Sequence, residues 1–306
     1  MGTGGNATLK RVIVDFDNTM GIPGCDVDDG LALLFLLGCP ERIEVIAATT
    51  TYGNNLTGTV YMNTRRLFAG WNLDLPVFRG CPDARHPESE ASRFLARAAA
   101  DAPGEISVLA LGSLTNLRGA RGIDPAFFGN VREVVAMGGI TRTLVFNGVI
   151  MNELNFACDP IATRLVLSES STASVATSNN CLEAYFTAAG LEERFGHAEA
   201  GSLGEALWRD CGLWLADVRE RYGLDGFHCW DVVAAANVAM PELFEDDVHP
   251  VTMSEALLGV GYLEEAFPGA PRADVNMPII KDGEVFIETV CSAWERGLAR
   301  LEAGTA

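Results

Sequence analysis

Residues 11–38, RVIVDFDNTMGIPGCDVDDGLALLFLLG, contain two apolar runs joined by a loop that carries five carboxylates. The first run, residues 11–14, has the length and the β-branched content of a buried parallel strand. The second run, residues 28–37, predicts a helix that opens at a pair of aspartates. A strand, a polar loop and a helix in this order predict the first unit of an α/β fold, with the functional site in the loop.

The carboxylates of this loop are Asp15, Asp17, Asp26, Asp28 and Asp29. Like charges at such short spacing repel strongly in a poorly solvated pocket, so we expect a cation among them. Oxygen ligands favour Ca²⁺ or Mg²⁺, and the loop lacks the paired His or Cys residues that bind zinc. A structural alternative stays open for Asp26 and Asp28, because either side chain could cap the helix and interact with its dipole.

The bulk composition predicts a globular protein that binds neither nucleic acid nor anionic membranes. The chain has 306 residues, 48% of them hydrophobic, and a net charge of −19 without any basic run. Its first ten residues lack the basic start and apolar core of a signal peptide, which favours a cytoplasmic location. The eight cysteines form no Cys-x-x-Cys pair and are expected to be reduced thiols.

Strand-like and helix-like runs alternate along the chain, which predicts an open, mostly parallel, twisted α/β sheet flanked by helices, with a Rossmann-like order. We expect one domain over residues 1–306, with residues 1–10 as a flexible N-terminal tail. The predicted strands are 11–14, 43–51, 75–78, 106–111, 133–137 and 174–177, with weaker signals at 248–253 and 275–280. The predicted helices are 28–37, 57–69, 88–100, 114–121, 157–168, most of 182–221, 232–240 and 286–301.

Polar clusters follow several of the predicted strands, at the edge where open parallel sheets bind ligands. Besides the aspartate loop, they are residues 52–55, 112–113 and 138–139. Two later segments carry further polar groups. Residues 147–155, NGVIMNELN, form a Gly-containing loop whose amides and carboxylate suit the binding of sugar hydroxyls, although Asn152 or Asn155 could instead cap the next helix.

The second of these segments is residues 227–231, Phe-His-Cys-Trp-Asp, just before an apolar helix. Asp231 in that position is expected to be the helix N-cap on local sequence alone, and Trp230 would ordinarily belong to a core. The reading of both residues therefore depends on whether the other motifs converge on them.

Taken together, these motifs resemble the inosine-uridine nucleoside hydrolase family, whose members are calcium-dependent N-ribohydrolases on an open α/β fold. The resemblance runs from Arg11 to the final helix. Its motifs are Asp15-Phe16-Asp17, Asp28-Asp29 with Leu-Ala-Leu, Thr49 to Asn54, Leu111 to Asn116, Met137-Gly138-Gly139, Asn147 with Glu153-Leu154-Asn155, Asp159-Pro160, and Trp230-Asp231.

The resemblance implies a role for each matching residue. It implies that Ca²⁺ binds to Asp17, Asp29, Asp231 and the main-chain carbonyl of Leu111, together with a water that Asp17 deprotonates for attack on a ribonucleoside. The implied ribose-binding residues are Asp28, Asn54, Met137, Asn147, Glu153 and Asn155. Family membership further implies a homodimer or homotetramer.

Two departures from the family pattern affect the site. The family has three residues between its base aspartate and its aspartate pair, whereas residues 18–27 intervene here and either reshape the mouth of the pocket or bulge away from it. Trp230 occupies the place of a histidine that in many members protonates the leaving base. This tryptophan resembles the purine-preferring branch, in which an aromatic ring stacks on the base, and His228 is an alternative acid.

Two other functions stay open. Residues 15–19, Asp-Phe-Asp-Asn-Thr, also fit the nucleophile motif of haloacid-dehalogenase-like phosphatases, which use Mg²⁺ and would make Asp15 the nucleophile. That mechanism needs a later lysine, for which Lys281 is the only residue after Lys10, and an acidic pair, for which Asp246-Asp247 is poorly placed. The second alternative is a ribonucleoside-binding protein without catalytic activity.

Overall fold

The structure, a computed structural model, describes residues 9–305. The strands in this range are β1 Lys10–Phe16, β2 Ile43–Thr50, β3 Val77–Phe78, β4 Ile106–Ala110, β5 Glu133–Met137, β6 Leu144–Phe146, β7 Val149–Met151, β8 Ala173–Ala176, β9 Tyr185–Thr187, β10 Gly226–His228, β11 Phe244–Glu245, β12 Val248–Thr252, β13 Arg272–Asn276 and β14 Ile279–Ile280.

The helices are α1 Asp28–Leu37, α2 Thr57–Gly70, α3 Glu90–Asp101, α4 Thr115–Ile123, α5 Phe127–Asn130, α6 Pro160–Glu169, α7 Ala188–Phe195, α8 Leu203–Tyr222, α9 Trp230–Ala239, α10 Glu255–Leu258 and α11 Gly283–Glu302. Two short 3₁₀ helices, Asn180–Glu183 and Pro241–Leu243, complete the regular structure of residues 9–305. None of the helices in the described range is long and apolar enough to cross a membrane.

Eight of the strands form one sheet in the order β12-β13-β8-β5-β4-β1-β2-β3. All neighbours in this sheet are parallel except β12, which pairs antiparallel with β13 at one edge. The predicted mostly parallel α/β sheet is therefore confirmed. Because β1 lies inside the sheet beside β4, the aspartate loop after β1 emerges in the middle of the ligand-binding edge.

Strand β1 is buried on both faces, which explains its unbroken apolar sequence. Val12 and Val14 pack into a core formed with α1, α9 and α11, whereas Ile13 between them packs into a second core formed with α3, α4 and α6. Helices therefore cover both faces of the sheet. On the first face, α1 and α9 pack side by side, and this pairing brings their first turns together.

The predicted strands and helices are found close to their predicted bounds, with two main exceptions. Residues 182–221 do not form one mostly helical stretch, because the 3₁₀ helix, β9 and α7 precede α8. Local caps divide the stretch: Thr187 Oγ1 accepts the N–H of Gly190 at 3.1 Å, and Ser202 Oγ accepts the N–H of Glu205 at 3.1 Å. The sequence signal for these breaks was the Ser/Thr caps, which a composition-based prediction overlooks.

The second exception is the predicted loop at residues 147–155, which starts inside a β-hairpin made of β6 and β7. Asn147 and Gly148 occupy its turn with positive φ angles of 48° and 83°. An Asn-Gly pair between two apolar runs is a strong hairpin signal in the sequence. Residues 1–8 of the predicted N-terminal tail lie outside the described residues, and Lys10 already belongs to β1.

Candidate active site

A cavity of about 350 Å³ opens at the carboxyl ends of the sheet strands. Eight of the residues to which the family resemblance gives a role line it: Asp28, Asn54, Leu111, Met137, Glu153, Asn155, Trp230 and Asp231. These residues come from six separate segments of the chain, which the topology brings to one place. The predicted convergence of the polar clusters on this edge is therefore confirmed.

Three carboxylates meet where α1 and α9 begin. Asp28 and Asp29 are the first two residues of α1, and Asp231 is the second residue of α9. One oxygen from each of the three lies within 4.8 Å of the others, and all three side chains are buried. Because two helix N-termini point at this group, the partial positive charge of their free N–H groups favours its negative charge.

Asp17 lies directly beside this group and is fully buried. Its backbone N–H donates to Asp29 Oδ1 at 3.1 Å. Its carboxylate accepts two hydrogen bonds from Asn54, one from the backbone N–H at 2.6 Å and one from Nδ2 at 3.2 Å. The side chain is therefore held in one orientation.

Two glycines make room for Asp17. A Cβ at Gly53 would lie 2.0 Å from Asp17 Oδ2, and a Cβ at Gly112 would lie 3.1 Å from Asp17 Cγ. Both distances are too short for an alanine unless the carboxylate shifts. The chain thus approaches this aspartate more closely than any side chain would allow.

Burial without a nearby cation raises the pKa of these carboxyl groups. The pKa of Asp17 rises to about 7 and that of Asp28 to about 6, mainly because both groups are removed from water. Burial also raises the pKa values of Asp29 and Asp231 well above the ordinary value, and neighbouring carboxylates add to the effect. A cation bound here would relieve both the burial cost and the repulsion.

The donor set fits a hard divalent cation, because all of its atoms are oxygens. Asp29 and Asp231 belong both to the predicted metal ligands and to the group within 4.8 Å. The structure adds Asp28 to that group, since it neighbours Asp29 on the first turn of α1, whereas Asp17 stands just behind them. Leu111 lines the cavity, and its carbonyl oxygen accepts a hydrogen bond from Asn155 Nδ2 at 3.1 Å.

The side chains of the predicted ribose-binding residues differ in the hydrogen bonds that they make within the protein. Asn155 Nδ2 also donates to the carbonyl oxygen of Met137 at 3.1 Å, so it links β4 and β5 at the cavity floor. The Glu153 carboxylate accepts three backbone N–H groups, from Gly139, Phe156 and Ala157, at 2.8 to 3.0 Å. Glu153 therefore shapes the loop that lines the cavity, besides any contact it makes with a sugar.

The structure does not bring Asn147 into this cavity. The residue is exposed at the tip of the β6–β7 hairpin, and its Nδ2 donates to the carbonyl oxygen of Tyr222 at 2.6 Å. It thus ties the hairpin to the end of α8. The predicted contact between Asn147 and the ribose stays a prediction without support from this arrangement.

His228 belongs to an aromatic cluster beside the cavity rather than to its lining. Its ring centroid lies 4.9 Å from those of Tyr185 and Trp230 and 5.3 Å from that of Phe146. Burial lowers the pKa of His228 to about 4, and its Nδ1 has no hydrogen-bond partner. A histidine that is uncharged at neutral pH is poorly suited to protonate a leaving base.

The inserted residues 18–27 pack against the fold instead of bulging from it. Asn63 Nδ2 and Arg66 Nη2, both on α2, donate to the carbonyl oxygen of Met20 at 3.1 and 3.3 Å. The Met20 side chain is buried on Gly30 of α1, where a Cβ would come within 2.6 Å of its sulfur. The insertion therefore forms part of the wall around the cavity.

Asp26, at the end of this insertion, fits both readings made from the sequence. Its Oδ1 accepts the N–H groups of Val27 and Asp28 at 2.7 and 3.3 Å, as the capping alternative predicts. The residue also lines the cavity. The cap holds the start of α1, and hence the aspartate pair, in position.

The sequence analysis missed the contribution of α8. Trp214, Arg221 and Tyr222 line the cavity, and so do Leu144 and Ile150 of the hairpin. A spacing of seven residues puts Trp214 and Arg221 on the same face of a helix, which was the available signal. That signal has no meaning until the packing of α8 is known.

The phosphatase alternative is poorly supported by the position of Asp15. This residue is fully buried, and its Oδ1 accepts hydrogen bonds from Thr49 Oγ1 at 2.6 Å and Asn116 Nδ2 at 2.7 Å. Both of these hydrogen bonds engage the oxygen of a side chain that does not line the cavity, which gives no support to a nucleophilic role. The Lys281 ammonium donates instead to the carbonyl oxygen of Glu242 at 3.0 Å.

The chain is similar to several known proteins. Residues 12–263 match the family described as inosine-uridine preferring nucleoside hydrolase. A probable uridine nucleosidase 2 from Oryza sativa subsp. japonica is 28% identical over 268 residues, which cover 78% of this chain and 76% of the relative. A probable uridine nucleosidase 2 from Arabidopsis thaliana is 31% identical over 191 residues, 52% of this chain and 56% of the relative.

The fold is likewise similar to a solved structure, that of the plant nucleoside hydrolase PpNRh1. The two share 25% sequence identity with a TM-score of 0.78. The superposition covers 95% of this chain and 99% of the plant enzyme. The similarity therefore includes the whole sheet and the strand ends around the cavity.

Proposed function

The chain belongs to the inosine-uridine preferring nucleoside hydrolase family and is a nucleoside hydrolase, and on that premise we propose that it cleaves the N-glycosidic bond of ribonucleosides to ribose and free base. One observation carries the proposal. A buried group of aspartates lies at a cavity whose lining also contains the aromatic side chains of Trp214, Tyr222 and Trp230. The carboxylates suit a polyhydroxylated sugar and the rings suit a flat base.

We propose Ca²⁺ as the metal of this site, held by Asp29, Asp231, Asp17 and the carbonyl oxygen of Leu111. The support is the all-oxygen donor set and the crowding of buried carboxylates without a compensating charge. When bound, such a cation supplies a positive charge that makes a nearby water more acidic. The side chains of the chain then have separate tasks.

Asp17 is our candidate for the general base. Its backbone N–H donates to Asp29 Oδ1 at 3.1 Å, so the carboxylate lies beside the aspartates that would hold the cation and is placed to accept a proton from a water there. The two hydrogen bonds from Asn54 keep the carboxylate in a single orientation. A carboxylate that is already held in one orientation loses less entropy on reaching the transition state than a mobile one.

The ribose is proposed to lie over Asp28, Asn54 and Asn155, whose carboxylate and amides match its 2′ and 3′ hydroxyl groups. Met137 and Glu153 line the same end of the cavity. Positive charge develops on the sugar as the glycosidic bond breaks. The surrounding carboxylates stabilise that charge more than they stabilise the neutral substrate, which lowers the barrier.

For the base we propose a preference for purines, because Trp230 lines the cavity and a bicyclic base offers more stacking area than a pyrimidine. The similar plant proteins carry the name uridine nucleosidase, so uridine is the competing substrate to test. Homo-oligomeric assembly and a cytoplasmic location remain predictions from the sequence.

The decisive experiment assays the purified chain against inosine, guanosine, adenosine, uridine and cytidine, and in parallel against a phosphate monoester. We expect release of base and reducing sugar, loss of that release with a chelator, and recovery on addition of Ca²⁺. Turnover of uridine equal to that of inosine would contradict the purine preference. Phosphate release without base release would overturn the proposal, and nucleoside binding without turnover at any Ca²⁺ concentration would favour a binding protein.

A further inference from the structure

One cation faces the cavity from α8. Among the described residues that line the cavity, Arg221 is the only lysine or arginine, in a lining that also contains four carboxylates. Trp214, two turns earlier on α8, and Tyr222, next in sequence, line the cavity beside it. Arg221 therefore belongs to the part of the cavity lining that α8 contributes, together with two aromatic side chains.

The guanidinium of Arg221 is held from two directions. Its Nε lies 2.8 Å from Asp217 Oδ2, one turn earlier on α8. Its Nη2 donates to the carbonyl oxygen of Gly24 at 3.1 Å. Of the five N–H donors of an arginine, these two contacts leave about three free. The side chain is 51% exposed, so its remaining N–H groups are accessible to water or to a bound base.

The contact with Gly24 connects Arg221 to residues 18–27, the segment that is longer here than in the family pattern. Gly24 has a φ of 74°, and a Cβ there would lie 3.5 Å from Asp217 Oδ1 and 3.7 Å from Arg221 Nη2. A glycine lets the loop backbone reach both side chains without strain. The insertion therefore holds the guanidinium of Arg221 through the carbonyl oxygen of Gly24.

We propose that Arg221 is a specificity-determining residue that selects bases with an oxo group, and this inference rests on the proposed function. Planar N–H donors match adjacent acceptors such as O6 and N7 of hypoxanthine or guanine. Adenine presents an amino donor at the same position, which faces the guanidinium unfavourably. The positive charge also stabilises negative charge on the base as it leaves, a task for which His228 is unsuited.

The test compares inosine with adenosine in four proteins: wild type, Arg221→Met, Arg221→Lys and Arg219→Met. Arg219 lies on the same helix, is exposed and does not line the cavity, so its variant carries the same charge change. For Arg221→Met we expect kcat/KM for inosine to fall roughly tenfold to a hundredfold, the range of a bidentate base contact. Adenosine should change by less than about threefold, as should both substrates in Arg219→Met.

Arg221→Lys keeps the charge and most of the stem, so it separates recognition from folding. We expect it to retain thermal stability and yet to lose most of the preference for inosine, because an ammonium lacks the planar fork. Equal losses for inosine and adenosine in Arg221→Met, or an unchanged ratio in Arg221→Lys, would overturn the inference.

Binding of the free bases hypoxanthine and adenine, measured by calorimetry, makes the test independent of turnover. Tighter binding of hypoxanthine that disappears in Arg221→Met would uphold the role of Arg221 even if no nucleoside were cleaved. Absence of cleavage in every assay would then count against the proposed function alone. Equal binding of both bases to wild type would count against Arg221.

Discussion

One part of the site, the carboxylate wall, consists of Asp28 and Asp231, which line the cavity, and of Asp17 and Asp29 directly beside them, and these side chains are at most 3% exposed. A second part of the lining, the aromatic wall, consists of Trp214, Tyr222, Trp230 and the β6–β7 hairpin, where Ile150 is 61% exposed. The side chains of the carboxylate wall lie at strand ends and at the first turns of helices. The position of the aromatic wall depends on how α8 and the β6–β7 hairpin pack. A rigid wall suits the ribose common to all substrates, and an adjustable wall suits the base that varies among them.

The largest expected effect comes from the carboxylate wall. Asp17→Asn should lower kcat by roughly a thousandfold, the range expected for loss of a general base. Stability should hardly change, because Asn54 can turn its amide to pair with the new side chain and a buried charge is removed. Steady-state assays with inosine and thermal unfolding of the same preparation measure the two effects.

Asp159 offers a matched control, since it is an equally buried aspartate outside the cavity. Its Oδ1 pairs with Arg118 Nη1 at 2.8 Å, and its Oδ2 accepts from Thr115 Oγ1 at 2.8 Å. Asp159→Asn should therefore lower the free energy of unfolding by about 2 kcal/mol while kcat stays within about threefold. If Asp159→Asn lost activity as fully as Asp17→Asn, burial rather than chemistry would explain both.

A smaller effect is expected from the aromatic wall. Trp230→Ala should lower kcat/KM for inosine about tenfold, as one lost stacking contact predicts, and should affect uridine less. Trp230→Phe, which keeps a ring, should recover most of the loss. An equal decrease for inosine and uridine would show that Trp230 acts through packing with His228, whose ring lies 4.9 Å away, rather than through the base.

The contrast between the walls also explains what could be predicted from the sequence. Asp28 and Asp29 are adjacent in the sequence, and the other strand ends at the cavity each carry a polar motif. Local sequence pattern and sheet topology are therefore enough to predict the carboxylate wall. Trp214 and Arg221 sit in a helix whose residues resemble those of any amphipathic helix. Their role follows only from the way α8 packs against the hairpin and the insertion, which is tertiary information.

Asn147 in the β6–β7 hairpin is a residue for which a motif match predicts a contact that the structure does not show. The family pattern assigns Asn147 to the sugar, yet here its side chain binds the carbonyl oxygen of Tyr222. The positive φ angles of Asn147 and Gly148 make the pair a turn, and a turn places its side chains at the tip of a hairpin. A motif match gives the residue type, whereas the backbone decides where that residue points.

The smallest expected effect concerns His228 and appears in stability rather than in catalysis. Burial lowers the pKa of His228 to about 4 in the folded protein, whereas the ordinary value is 6.5. Below pH 6.5 the unfolded chain takes up a proton at this position that the folded chain excludes, so acid favours unfolding until the pH falls through 4. The stabilising contribution of neutral His228 is thus present above pH 6.5 and is lost progressively as the pH falls toward 4.

His228→Gln removes this titration and should flatten the acid side of the stability profile. Between pH 7.5 and 5.5, wild type should lose about 1 kcal/mol of unfolding free energy more than the variant, measured by denaturant titration at each pH. At neutral pH, kcat for inosine should stay within about threefold, because an uncharged imidazole behind Trp230 donates no proton to the base. If the two stability profiles ran parallel and kcat fell strongly, His228 would instead be the acid that protonates the leaving base. The aromatic wall would then take part in the chemistry together with the carboxylate wall.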